Sequence, residues 1–220
     1  LSVPPQPPVL DRLSALGIVP VVSVSTAAQA VEVARALAEG GLPAAEITFR
    51  TSAAAEAIAA ITASDAEVLL GAGTVTTTEQ VDQAAAAGAM YVVSPGTSAT
   101  VVHHARSLGL PVLPGAVTAT EVQNALELGL TTVKFFPADT SGGPAAIRAL
   151  AAPFGEISFV PTGGVGMENL REYLNIPAVR AVGGSWMVPQ VLVEAGKYAE
   201  IAQLASEAAA AVDRIRSRSA

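Results

Sequence analysis

The chain has 220 residues, enough to bury a sizeable core, with 51% hydrophobic and 14% charged residues and a formal net charge of −7 at pH 7. That balance excludes a nucleic-acid surface, which needs clustered Lys and Arg against phosphates. Zero cysteines exclude disulfides, thiolate metal sites and cysteine nucleophiles, and no apolar run approaches the roughly 18 residues of a membrane span.

The opening LSVPPQPPVL lacks the basic segment and apolar core of a secretory signal. It reads as an extended, proline-stiffened lead-in within an N-terminal segment 1–17, extended or helical, and a cytoplasmic location is expected. From residue 18 one pattern repeats: a short β-branched run, a Gly, Pro, Ser or Thr break, then an Ala-rich segment with helical spacing. The predicted strands are IVPVVSVS (18–25), AAEITFR (44–50), EVLLGAG (67–73), MYVVSPG (90–96), PVLPG (111–115), TTVKFFPA (131–138), ISFVPTGG (157–164) and VRAVGGSW (179–186). Between them lie helical segments such as AAQAVEVARALAEG and ATEVQNALELG, several ending on a Gly suited to a C-terminal cap. Eight strands alternating with helices, without linker or change of composition, predict a single (β/α)8 TIM barrel over 18–200, with a C-terminal helix and tail over 201–220. A doubly wound open sheet is the alternative, disfavoured because no GxGxxG follows the first strand. The terminal RIRSRS is expected to be a frayed tail.

In such a barrel function sits where strands pass into the following loops. Polar residues gather there: Glu46, Thr48 and Arg50 near the end of the second strand, then Thr74, Ser94, Lys134, Thr162 and Ser185 on later ones. Strand alternation puts Glu46, Thr48 and Arg50 on one face and Ile47 and Phe49 on the other. Glu46 and Arg50 then form either a structural ion pair, or an acid/base beside a guanidinium fork for a substrate carboxylate. Lys134, one of two lysines in the chain, shares a face with Thr132 and Phe136 in an apolar run. Desolvation and a neighbouring arginine both penalise an ammonium, and a free amine is a nucleophile able to form a Schiff base with a ketone. A snorkelling or salt-bridged lysine is the plainer alternative.

PTGGV and VGGSW, at the ends of the last two strands, offer unobstructed backbone amides where these barrels hold phosphate. His103 and His104 are adjacent on a helix and expected in solvent; no HExxH or similar metal spacing occurs. GAGTV lacks the GK[ST] of a P-loop, and Trp186 is expected in a core or interface.

EITFRT, GAGTV, SPG, KFFPA, PTGGV and GGSW, in this order and spacing, resemble the 2-keto-3-deoxy-6-phosphogluconate (KDPG) aldolase family, which also includes 4-hydroxy-2-oxoglutarate (KHG) aldolase activity. The resemblance spans about residues 18–200. It implies a (β/α)8 barrel, a homotrimer, class I catalysis without metal or cofactor, and a small phosphorylated 2-keto acid as substrate. By this resemblance Lys134 is the Schiff-base lysine and Glu46 the general acid/base. Arg50 and Thr74 hold the keto-acid carboxylate, and Pro95 and Phe136 also contact substrate. Thr162 lines the aldehyde side, while Gly163, Gly164, Gly184 and Ser185 receive the phosphate. The galactonate epimer, a phosphosugar epimerase or isomerase, and a non-catalytic phosphosugar-binding barrel stay open as alternatives.

Overall fold

The computed structural model describes residues 8–218. Its strands are β1 (Ile18–Val22), β2 (Ala44–Thr48), β3 (Leu69–Gly73), β4 (Tyr91–Val93), β5 (Val112–Leu113), β6 (Thr132–Phe135), β7 (Ser158–Pro161) and β8 (Val182–Gly184). Each of the eight predicted strands is present and each is shorter than its predicted run. The Gly, Pro, Ser or Thr that closes most runs leaves the ladder and starts the loop.

Six strands form one parallel sheet in the order β5-β4-β3-β2-β1-β8, and β6 pairs with β7. Single bridges, Gly115 with Lys134 and Thr162 with Gly183, join the two sheets and close the ring. The barrel is therefore closed, and the open-sheet alternative does not apply. At the first seam the Lys134 amide donates to the Pro114 carbonyl at 2.8 Å and the Ala116 amide to the Lys134 carbonyl at 2.9 Å.

The helices are α1 (Val9–Leu16), α2 (Ala27–Glu39), α3 (Ala54–Thr62), α4 (Thr78–Ala87), α5 (Ala99–Ser107), α6 (Ala119–Glu127), α7 (Gly143–Ala151), α8 (Leu170–Leu174), α9 (Gln190–Glu194) and α10 (Tyr198–Arg216). Four of them start on a side-chain cap: Thr26, Thr77, Ser98 and Thr118 each accept a bond from the amide three residues on, and Glu121 completes a capping box. Each cap contributes about 1 kcal/mol. Together they fix where the chain turns from strand to helix, so these loops meet at one rim.

Two apolar layers follow. Outward strand residues such as Val22, Ile47, Ala72 and Val133 pack against the Ala-rich helix faces, where Ala30, Ala34, Ala57 and Ala84 are fully buried. Small side chains there let the helices lie close to the strands. The second layer fills the barrel itself: Val19, Ala44, Leu69, Tyr91, Leu113 and Ala181 meet Leu13 of α1, with Leu10 and Leu16 beside them. Helix α1 thus plugs the end of the barrel away from the capped helix starts.

The predicted extended form of LSVPPQPPVL falls largely on residues 1–7, outside the described residues; from Val9 the chain is helical. RIRSRS is not frayed over its first residues, because α10 continues through Arg216. The Arg216 guanidinium donates to the carbonyl of Ser14 at 2.6 Å and also to that of Ala15. These are carbonyls at the end of α1 that the helix itself leaves unpaired, which explains why an arginine is ordered there.

Leu13 is 3% exposed at the centre of the plug. Leu13→Ala is expected to lower unfolding stability by about 2–5 kcal/mol in urea titration; an unchanged midpoint would show that α1 does not seal the barrel.

Candidate active site

Glu46 on β2 and Lys134 on β6 reach each other across the barrel: Lys134 Nζ donates to Glu46 Oε1 at 3.1 Å, with the two side chains 7% and 3% exposed. The Lys134 ammonium also stands 5.2 Å from the centroid of the Phe136 ring, its same-face successor. The space for Glu46 comes from β3. A Cβ on Gly73 would lie 2.3 Å from Glu46 Oε1, and one on Gly71 would lie 2.2 Å from Cζ of Tyr91. Two glycines on the inner face of β3 thus make room for a carboxylate and a phenol. Burial pushes the Tyr91 phenol well above its ordinary range, and the charge of Glu46 adds to that shift.

Above the pair opens a cleft of about 370 Å³. Thr48 and Phe136, the same-face successors of Glu46 and Lys134, line it, and Thr162, Gly163, Gly164, Gly184 and Ser185 form one wall with Arg50 on the rim. Gly163 and Gly164 have φ of 93° and 76°, a region L side chains enter only at a cost. At Gly164 a Cβ would also lie 2.3 Å from that of Asp139. The amides of Gly164 and Ser185, residues of this wall, donate to no protein group among the described residues and so are free for a ligand.

Most residues picked from the sequence therefore converge. Glu46 and Lys134 lie beneath the cleft and are not among its lining residues, and Thr74 and Pro95 stand apart from it. Thr74, half-buried with φ 58°, follows β3 directly but does not line the cleft. Pro95 borders a separate hollow with Val75, Thr76 and Ser94.

The ion-pair alternative for Glu46 and Arg50 does not hold. Lys134, expected beside the guanidinium, is instead salt-bridged to the Glu46 carboxylate, the alternative named for it. The reason is height: Arg50 lies two residues beyond the end of β2, exposed, with no hydrogen bond or ion pair among the described residues. Ser23, Val188, Pro189 and Gln190 also line the cleft and were not singled out. Ser23 was findable, since it continues the inward alternation of Val19 and Val21; the segment before the five-residue α9 carries no such period. His103 is exposed as expected, whereas His104 is half-buried and bonded to Asp82 at 2.7 Å. No cluster of metal-ligating side chains occurs among the described residues.

A closed parallel barrel whose C-terminal mouth holds a buried amine against a carboxylate, beneath a wall of free amides, has the layout of a class I barrel aldolase, a carbon–carbon lyase. Comparison with known proteins narrows this class. The family profile described as KDPG and KHG aldolase matches residues 9–204. A 2-dehydro-3-deoxy-phosphogluconate aldolase of Treponema pallidum is 49% identical over 199 residues, covering 90% of this chain and 95% of the relative. Among solved structures, the 2-keto-3-deoxy-6-phosphogluconate aldolase of Zymomonas mobilis with 3-phosphoglycerate superposes with a TM-score of 0.84 at 40% identity, covering 91% of this chain and 95% of that one. The KDPG aldolase of Legionella pneumophila, with pyruvate captured as a covalent carbinolamine intermediate, superposes with a TM-score of 0.87 at 32% identity, covering 90% and 97%. The chain belongs to the KDPG and KHG aldolase family.

Because Glu46 occupies the space a Cβ on Gly73 would need, Gly73→Ala is expected to push the carboxylate off Lys134. An aldol-cleavage assay should then show a loss of about 100-fold in kcat, the usual cost of a misplacement near 1 Å, with the circular dichroism spectrum retained. Wild-type turnover in this variant would show that the placement of Glu46 is not needed.

Proposed function

We propose that the chain cleaves 2-keto-3-deoxy-6-phosphogluconate to pyruvate and glyceraldehyde 3-phosphate through a Schiff base on Lys134. The observation that carries this reading is the 3.1 Å contact between the Lys134 amine and Glu46 beneath the cleft. Glu46 takes a proton from the ammonium, and the free amine attacks the C2 ketone. Glu46 then returns a proton to the carbinolamine hydroxyl, which leaves as water and yields the protonated imine, an electron sink. Removal of the C4 hydroxyl proton by Glu46, directly or through a water, breaks the C3–C4 bond and releases the aldehyde. The enamine left behind is protonated at C3 and hydrolysed to pyruvate, which frees the lysine.

The rest of the site supports this assignment. Arg50, exposed on the rim without a protein partner among the described residues, offers its planar fork to the keto-acid carboxylate, while Thr74, given the same role by the family resemblance, and Pro95 lie to one side of the cleft. Thr162 borders the aldehyde side. The unbonded amides of Gly164 and Ser185, with Gly163 and Gly184 beside them, form the phosphate end. The 3-phosphoglycerate in the Zymomonas relative and the pyruvate adduct in the Legionella relative match the two ends of such a substrate. KHG, the second substrate in the family description, would use the same pyruvate half and bring a carboxylate in place of the phosphate-bearing end. A homotrimer in the cytoplasm completes the proposal, on the strength of the family resemblance.

Incubation with pyruvate and borohydride should add a reduced pyruvyl group to the peptide carrying Lys134. Lys134→Met should give no adduct and no pyruvate formation; an unlabelled wild-type peptide would sink the Schiff-base reading. Arg50→Lys should raise the pyruvate concentration for half-maximal trapping about tenfold, the worth of one charge-assisted hydrogen bond. Unchanged trapping would remove Arg50 from the carboxylate site.

A further inference from the structure

We propose that the Tyr91 hydroxyl is a positioning donor for Glu46, taking up the carboxylate when Lys134 becomes an imine. This rests on the roles proposed above for Lys134 and Glu46. Tyr91 is fully buried inside the barrel, and its hydroxyl has no hydrogen-bond partner. A buried, unpartnered hydroxyl is a net loss against the phenyl ring of a phenylalanine, so packing alone does not account for a tyrosine here.

The geometry points that hydroxyl at the site. Glu46, Gly71 and Tyr91 stand in one register across β2, β3 and β4. Cζ of Tyr91, which carries the hydroxyl, lies over Gly71, and Oε1 of Glu46 lies over Gly73, 2.2 and 2.3 Å from the respective Cβ positions. Those two glycines are same-face neighbours, about 6–7 Å apart along the strand. The phenol and the carboxylate thus lie over adjacent places on a strip that has no side chain to separate them.

In the structure, Glu46 Oε1 is held by the Lys134 ammonium. Once that nitrogen is bonded to C2 of the substrate it no longer offers the same donor, and the carboxylate needs another. Apart from Gly71, the residues directly paired with the two are Val21 beside Glu46 and Gly115 and Val160 beside Lys134, none of them titratable. Arg50 is the next charge, exposed on the rim. Among the described residues the buried hydroxyls of Thr48 and Thr162 already donate to the carbonyls of Val22 and Val160, and the unpartnered Ser94 borders the separate hollow with Pro95, which leaves the unpartnered hydroxyl of Tyr91. No proton leaves it: burial and the charge of Glu46 both keep the phenol protonated, so it holds the base and does not replace it.

Tyr91→Phe removes only the hydroxyl and tests this. Expected results are a fall in kcat of about tenfold with KM changed less than about twofold, the loss of one hydrogen bond to a charged group. The acid limb of the kcat–pH profile should differ from that of the wild type, because the group that positions the base has been removed. The thermal midpoint should be unchanged or higher. Wild-type kcat or an unmoved acid limb would overturn the proposal and leave the hydroxyl as a tolerated orphan. Pyruvate and borohydride trapping separates the two levels. Labelling of Lys134 in both proteins with an unmoved acid limb overturns the Tyr91 role alone, whereas failure to label the wild type overturns the Schiff-base reading and this proposal with it.

Discussion

A lysine and a glutamate held together inside a barrel constrain everything around them. Taking both charges out of water costs several kcal/mol per ion, and removing either partner alone typically costs about 3–5 kcal/mol because the other is stranded. The pair therefore demands accurate placement of two side chains 88 residues apart in sequence. Ring closure supplies it. The backbone of Lys134 is itself the seam where β6 joins β5, so closing the barrel and positioning the amine are one event. Without the bridge of Gly115 to Lys134, β6 and β7 would be tied to the sheet only on the β8 side, through Thr162 with Gly183 and Phe159 with Val179, and the amine would lose the seam that sets its height relative to Glu46.

Glycine does a second part of this work. Gly71 and Gly73 on β3 and Gly183 on β8 sit where other barrels carry packed side chains, and each leaves space that a neighbour fills: Tyr91, Glu46 and Thr162. The lower barrel is solid with aliphatic residues and sealed by α1, while the upper barrel gives its volume to polar groups. The division between core and site thus runs across individual strands. On β2 it falls between Ala44 and Glu46, and on β3 between Leu69 and Gly71.

Much of this was legible in the sequence. The alternation of short β-branched runs with Ala-rich helices carries the barrel, because each pattern has its own period and the caps between them are Thr or Ser. Alternation along EITFR and TVKFF put Glu46 and Lys134 inside without any further information. What the sequence concealed was height. Period-2 patterning states which face a residue takes but not how far up the axis it stands, so Arg50 was expected beside Lys134 when it stands on the rim. Thr74 and Pro95 were likewise expected in the cleft, although they lie to one side of it. Tyr91 was hidden for a different reason: within MYVVSPG a tyrosine is an ordinary strand former, and only the register across two glycines relates it to Glu46. Arg216 was read as part of a loose tail because its partners are backbone carbonyls, which leave no trace in sequence.

That last contact joins positions 202 residues apart, from α10 back to the end of α1. During synthesis α1 is made well before α10, so until then the plug is held by its own packing and by the Asp11–Arg180 ion pair at 2.9 Å. The strands and their mouth loops can assemble while the end of α1 is still unclamped. A nascent chain that has not yet made α10 would leave the carbonyls of Ser14 and Ala15 to water, at the end of the barrel opposite the reactive pair.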